Sequence, residues 1–263
     1  MEYIPKIIHY CWFGENPMPE KVVQCIRSWK DMCPDYEIKR WDESNYDYRK
    51  NKYMAEAYRK QKWGFVPDYA RLDIIYTYGG FYLDTDVQLL HKLDDLRSNK
   101  CFMGFEKNYV NPGLIIGAQC GIPEIKECME EYDKLNFVNL DGTLNLRPSP
   151  RYMSDYLERK GFKLNNKKQT IGNITIYPSD YFCPKDMITG ECVITENTYS
   201  IHHYDASWWG EKEKKDFVRQ VKLRKKNIWL WRIYNGINVL RNDGIGVLIS
   251  KVIKMVKKFE TNK

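Results

Sequence analysis

Two aspartates, Asp84 and Asp86, flank Thr85 directly after the apolar run Phe81-Tyr82-Leu83, with Gly79-Gly80 just upstream. Carboxylates spaced i and i+2 at a strand end can meet one divalent cation. Mg²⁺ and Mn²⁺ prefer such hard oxygen ligands and leave positions open for phosphate oxygens. Open α/β sheets also place ligands at strand C-terminal ends. The spacing alone fits two aspartates in a turn with no chemical role better than it fits a metal site. Upstream, Asp68 and Arg71 stand i, i+3 and share a helix face, so they either enter one pocket together or pair on a solvated surface. His202 and His203 are adjacent, and an extended segment cannot turn both toward one site. His9 lies inside an apolar stretch and reads as a core histidine.

The elements that must position these residues alternate between strand and helix. Ile4 to Phe13 reads as a buried strand that stops at Gly14-Glu15-Asn16-Pro17. Val22, Val23, Cys25, Ile26 and Trp29 are spaced for one face of a helix ending before Cys33-Pro34, and Glu37 to Trp41 is a second short strand. Asp68 to Tyr78 is a helix with Leu72, Ile74 and Ile75 inward, stopped by Gly79-Gly80, and Phe81 opens the strand that runs into Asp84. This alternation predicts an α/β domain with a Rossmann-like, mostly parallel central sheet and flanking helices. Residues 140–200 are dense in turn signals with short strands between, such as Ile174 to Tyr177.

The chain has 263 residues, of which 43% are apolar, enough for one substantial core. The net charge of +7 is uneven: residues 211–263 hold 15 Lys or Arg against 5 Asp or Glu, leaving 27 against 30 in the first 210. A nucleic-acid-binding core would carry the basic charge itself, so nucleic acid is not expected as a partner. From Asp216 the composition turns basic and apolar. Trp229, Leu230, Ile233, Ile237 and Leu240 share one helical face, and a second such face follows from Ile245 to Val256. The expected division is a catalytic domain over 1–215 and a basic amphipathic helical tail over 216–263. Lys222, Arg224, Lys225 and Lys226 beside Trp229-Leu230-Trp231 suit a helix lying in an anionic membrane interface, and a helical hairpin docked on the core is the competing expectation. No apolar run is long enough for a simple transmembrane helix, and the N-terminus lacks the pattern of a signal peptide. The eight cysteines show no CxxC spacing and read as reduced core thiols. The expected location is cytoplasmic, at the inner face of the cell membrane.

The stretch from Phe65-Val66-Pro67-Asp68-Tyr69-Ala70-Arg71 through Tyr78-Gly79-Gly80-Phe81-Tyr82-Leu83-Asp84-Thr85-Asp86 resembles the DxD region of family 32 glycosyltransferases. That family includes bacterial capsule and O-antigen sugar transferases and the yeast initiating mannosyltransferase, and it is similar to the sugar-transferring domains of large clostridial toxins. Ile4 to Gly14 resembles the family's first strand, and Ser200 to Trp208 its closing His/Ser-Trp element, in family order. The resemblance implies a GT-A fold, retention of configuration, a nucleotide-sugar donor and Mn²⁺ or Mg²⁺ on its diphosphate. It implies that Trp12 stacks on the donor's base, that Asp68 and Arg71 hold the sugar, and that Tyr82 lines the nucleotide site. Asp84 would contact ribose, sugar or metal, Asp86 and His202 the metal, and Ser207 and Trp208 would close over the pyrophosphate. Asn111-Pro112-Gly113 and Pro148-Ser149-Pro150 fall where the family carries acceptor-side loops, although turn chemistry explains them about as well.

The function expected is transfer of a hexose from a UDP-hexose, galactose or glucose first, to a glycan or polyprenyl-diphosphate-linked saccharide in surface polysaccharide synthesis. A non-catalytic, membrane-associated carbohydrate-binding or assembly protein, and a metal-dependent phosphohydrolase, are the alternatives. Loss of the aspartates would point to the first alternative; Asp68, Arg71, Asp84 and Asp86 are all present.

Overall fold

A computed structural model describes residues 3–204 and scattered positions between 215 and 234. The chain divides into two compact units, Met1–Trp208 and Trp209–Lys263. The helices expected in the tail lie almost entirely outside the described residues, as do Ser207 and Trp208. Within the second unit the Leu223 carbonyl accepts from the Asn227 amide, and the Asn227 carbonyl from the Trp231 amide.

In chain order the first unit contains β1 (Ile7–Cys11), α1 (Glu20–Met32), β2 (Glu37–Trp41), α2 (Lys52–Arg59), α3 (Pro67–Tyr78), β3 (Gly80–Tyr82) and β4 (Val87–Leu89). There follow β5 (Cys101–Glu106), β6 (Tyr109–Val110), β7 (Ile116–Ala118), α4 (Pro123–Asp133), α5 (Ser149–Arg159), β8 (Gln169–Ile171), β9 (Ile174–Tyr177), α6 (Ser179–Phe182) and β10 (Ser200–His202). The main sheet runs β2-β1-β3-β7-β5-β9-β8, with β6 pairing the end of β5. β1 pairs in parallel with both β2 and β3, and β5 with β9. β7 is antiparallel to both β3 and β5, and β8 is antiparallel to β9. Five strands of the path therefore point one way and two against it, which is the mostly parallel α/β sheet with flanking helices that the sequence predicts.

Side chains alternate across the sheet, so each strand feeds two cores. Tyr82, Cys101, Met103 and Ile176 face the core built with α2, α3, α4 and α5. Phe81, Phe102, Tyr177 and Ile8 face the other, with Trp29 and Phe182. In α1 the buried residues are Val22, Cys25 and Trp29, whereas Val23 is exposed and does not belong to the inward face the spacing had included. Trp29 donates its indole N–H to the Val87 carbonyl at 2.7 Å, which ties α1 to the segment following Asp84 and Asp86. All eight cysteines are free; six are buried, but Cys120 and Cys192 are exposed rather than core thiols.

α3 starts with Pro67 at its first turn and is buried on nearly every side. It passes into β3 without a loop. Gly79 has φ +64°, and Gly80 has φ +92° with the Ile7 carbonyl 2.7 Å from where a Cβ would stand, so only glycine fits. His9 braces this turn: Nε2 lies 2.9 Å from the Gly79 carbonyl, and Nδ1 accepts from the Trp41 indole at 3.1 Å. It is fully buried, and burial pulls its pKa down to about 4, despite the bond to Gly79. His9 is thus a core histidine, as its setting in the sequence predicts.

A neutral buried imidazole that must ionise in the unfolded chain makes stability depend on pH. The folded state binds fewer protons than the unfolded state between pH 6.5 and 4. Stability contributed by neutral His9 is therefore full above 6.5 and falls with pH through that window, by about 3 kcal/mol in total. Urea unfolding at pH 7 and pH 5 should show this fall, and His9→Gln should flatten it. An unchanged slope in the variant would remove His9 as its source.

Candidate functional site

The site forms where α3, the end of β3 and two loops converge. Arg71, 3% exposed, is its centre. Nη1 lies 3.2 Å from Asp68 Oδ1, one turn back on α3, and donates to Ser149 Oγ at 3.0 Å. Nη2 donates to Asp84 Oδ1 at 3.1 Å, which also accepts from the Tyr82 hydroxyl at 3.1 Å. The guanidinium stands over the Tyr82 ring, 5.2 Å from its centroid. Asp68 and Arg71 do pair, but inside the protein rather than on a solvated face. Among these contacts Arg71 Nε is left buried with no hydrogen-bond partner, the kind of orphaned donor that a ligand satisfies.

Burial pushes the Asp68 carboxyl up to about 7, against the pull of Arg71. Asp84 is likewise raised by burial while Arg71 draws it down. Burial works against the charge on Arg71, yet Asp84, Tyr82 and Asp68 hold the guanidinium firmly protonated.

Asp84 is also held through its backbone. Its amide donates to the Gly113 carbonyl at 2.9 Å. A Cβ at Gly113 would stand 2.0 Å from Asp84 Oδ2, so the loop approaches this closely only because residue 113 has no side chain. Gly113 N in turn donates to Asn111 Oδ1 at 2.8 Å. The two loops expected on the acceptor side, 111–113 and 148–150, therefore both reach the aspartate–arginine cluster.

Asp86 faces a second group. His202 Nε2 lies 3.2 Å from Asp86 Oδ1, on a two-stranded sheet in which β10 runs antiparallel to β4 with His202 opposite Val87. Burial pulls the imidazole pKa down, but the Asp86 carboxylate more than compensates and holds it well above the usual value. His202 Nδ1 is buried without a partner. His203 turns elsewhere, with Nε2 2.9 Å from Gln88 Oε1. Trp12 follows β1 at the same edge of the sheet, half-buried against the core that contains Trp29, and donates its indole N–H to the Asn16 carbonyl at 2.7 Å.

Asp68, Arg71, Tyr82 and Asp84 thus form one connected cluster, Asp86 and His202 form a second pair, and Trp12 contacts neither through its polar atom. Among the described residues no group of three or more His, Cys, Asp or Glu side chains is disposed to hold a metal. The donor set still fits Mg²⁺ or Mn²⁺ bound together with phosphate oxygens, since such ions commonly take one or two carboxylates and fill the remaining positions from substrate and water.

Residues 19–103 match the family model described as the glycosyltransferase sugar-binding region containing the DXD motif. Asp68, Arg71, Tyr82, Asp84 and Asp86 all fall within that stretch. Inositol phosphoceramide mannosyltransferase 3 of Schizosaccharomyces pombe is 40% identical over 101 residues, covering 35% of this chain and 27% of that protein. Inositol phosphoceramide mannosyltransferase 1 of the same yeast is 31% identical over 114 residues, covering 39% and 34%. The chain therefore spans about a third or less of the length of these relatives. Among solved structures, the PaToxG glycosyltransferase aligns over 60% of this chain and 69% of its own, at 16% identity and a TM-score of 0.44. The resemblance to family 32 glycosyltransferases is borne out over residues 19–103, the stretch that matches the DXD-containing sugar-binding region.

Replacing Arg71 tests the charge balance of this cluster. Arg71→Met strands two carboxylates beside one another and should cost about 3–5 kcal/mol near pH 8, the usual cost of removing one partner from a buried pair. The folded pKa of Asp68 lies above its ordinary 3.8, so stability held by its protonated form is present at low pH and lost as pH rises through about 7. The deficit should therefore shrink at pH 5. Equal deficits by urea unfolding at both pH values would remove Asp68 from the balance.

Proposed function

We propose that this protein is a metal-dependent glycosyltransferase that moves a hexose from a nucleotide diphosphate sugar to a saccharide acceptor with retention of configuration. The observation that carries the proposal is the buried Arg71, fixed between Asp68 and Asp84 with Nε still unpartnered, beside the Asp86–His202 pair. Departure of the nucleotide leaves negative charge on a diphosphate, and a pre-oriented guanidinium stabilises that charge without reorganising. Asp68, its carboxyl poised near neutrality, and Asp84 offer acceptors for sugar hydroxyls. Asp86, with Asp84, would hold the Mn²⁺ or Mg²⁺; His202 would join them only in its neutral form. The bound ion supplies electrostatic stabilisation of the leaving diphosphate. Trp12 offers a half-buried ring at the same sheet edge for the donor's base, and Ser207 and Trp208 complete the expected donor set.

UDP-galactose and UDP-glucose remain the first donors to test. GDP-mannose stands beside them, because the names of the yeast relatives describe mannosyltransferases. The acceptor fits a glycan or a polyprenyl-diphosphate-linked saccharide of a surface polysaccharide, reached from an anionic membrane face through the basic tail. No described helix is long and apolar enough to cross a membrane.

With Mn²⁺ and a panel of nucleotide sugars, the purified protein should bind or slowly hydrolyse one donor and transfer from it when an acceptor is supplied. Asp86→Ala should keep the fold and lose at least about 10-fold in turnover, the usual scale for disturbing a metal site. Retention of more than about a tenth of wild-type turnover would put the metal elsewhere. Rapid nucleotide release that no acceptor influences would favour a phosphohydrolase.

For the tail, removal of residues from 216 onward should leave a folded core that still binds donor but no longer sediments with anionic liposomes. Binding by the full chain should weaken in high salt, because charge attraction is screened over about 8–10 Å at physiological ionic strength. An unfolded truncation, together with a full-length chain that ignores liposomes, would show the tail to be part of the core instead.

A further inference from the structure

Glu106 ends β5, where the chain turns through Lys107 at φ +54° into β6 and on to Asn111. Its Oε2 accepts from Asn111 Nδ2 at 2.6 Å. Asn111 is 7% exposed and uses both ends of its amide, since its Oδ1 receives the Gly113 amide at 2.8 Å. An amide orientation fixed from one side by a carboxylate, which can only accept, leaves the carbonyl end to face Gly113. The Gly113 carbonyl then receives the Asp84 amide at 2.9 Å. β6 is itself anchored, because the Val110 amide donates to Ser154 Oγ on α5 at 2.9 Å.

Glu106 also faces the other half of the site. The Tyr204 hydroxyl interacts with Glu106 and lies 3.0 Å from Cys183 Sγ. The Tyr204 ring packs on His202 with centroids 4.3 Å apart, and His202 meets Asp86 at 3.2 Å. One half-buried carboxylate thus stands behind the supports of both aspartates, through Asn111 and Gly113 on one side and through Tyr204 and His202 on the other.

We propose that Glu106 is the positioning residue that holds the 111–113 loop against Asp84 and so sets the geometry of the aspartate pair. It touches neither Arg71 nor either aspartate through the contacts above, so its effect passes through Asn111. The bond is short, at 2.6 Å, and the loop has no other side-chain acceptor for Asn111 Nδ2 among the contacts described. The clamp itself is independent of what the site transfers; its catalytic consequence rests on the glycosyltransferase reading above.

The experiment compares Glu106→Ala and Glu106→Gln in the full chain. Gln keeps an acceptor for Asn111 and removes the charge. Amide hydrogen exchange at Gly113 and Asp84 should accelerate by about tenfold or more in Glu106→Ala and return close to wild type in Glu106→Gln, with Tm little changed in either. Should Glu106→Ala not fold, Glu106→Met keeps the volume, lacks the acceptor and carries the same comparison. Unchanged exchange at both amides would overturn the proposal, and so would a Gln variant as impaired as Ala, because charge rather than the clamp would then be responsible. In transfer assays kcat should fall about tenfold or more in Glu106→Ala and recover in Glu106→Gln, the scale seen when support of a ligating side chain is lost. A wild-type protein inactive with every nucleotide sugar would sink the functional reading alone, and the exchange measurement would still decide the role of Glu106.

Discussion

A guanidinium buried between two carboxylates organises this protein. Removing a charge from water costs several kcal/mol unless its partners are fixed in place, so Arg71 is tolerable only if Asp68, Asp84 and Ser149 all arrive with it. Those three partners come from α3, from the segment after β3 and from the first turn of α5. The helix α3, the segment after β3 and the start of α5 are therefore bound to a common geometry by an electrostatic requirement, and the hydrophobic packing of the two cores has to be compatible with it. The burial that makes the cluster costly also strengthens its field for a ligand, because less water screens it.

Close backbone approaches make that geometry possible. Gly79 and Gly80 turn the chain from helix to strand in two residues, with His9 closing the turn from the neighbouring strand. Gly113 lets the 111–113 loop reach the Asp84 carboxylate. A side chain at Gly80 or Gly113 would collide with the Ile7 carbonyl or with Asp84 Oδ2, and the aspartates would then leave their places. Fold and candidate site share these positions, which explains how the segment after so short a strand as β3 can present two carboxylates in a defined direction.

The two aspartates are treated differently by their surroundings. Asp84 is drawn inward to Arg71 and Tyr82, with a side chain 30% exposed, whereas Asp86 pairs with His202 on the small sheet. Asp86 instead meets an imidazole that can yield its proton. The i and i+2 spacing thus gives the two carboxylates different partners: one completes the charge balance of the arginine, and the other faces His202.

Much of this was legible in the sequence because it is local. The apolar spacing of Leu72, Ile74 and Ile75, the two glycines after Tyr78 and the strand before Asp84 depend on residues a few positions apart, and periodicity reports such order directly. The i, i+3 placement of Asp68 and Arg71 fixes their shared face on α3 in the same way. What the tertiary structure alone decided is how these residues are used. Val23 fits the helical spacing of α1 but faces solvent. Ser149 reaches Arg71 across 78 residues, and the His202 imidazole rather than that of His203 meets the Asp86 carboxylate because β10 pairs with β4 in one register. Glu106, Asn111 and Gly113 carry no motif that would have marked them as a clamp. Their convergence on Asp84 depends on β7 entering antiparallel between β3 and β5, which brings the chain back past the end of β3. Local spacing determines which face of an element a side chain occupies; which distant side chain it meets there depends on strand order and register, and those are settled only when the sheet assembles.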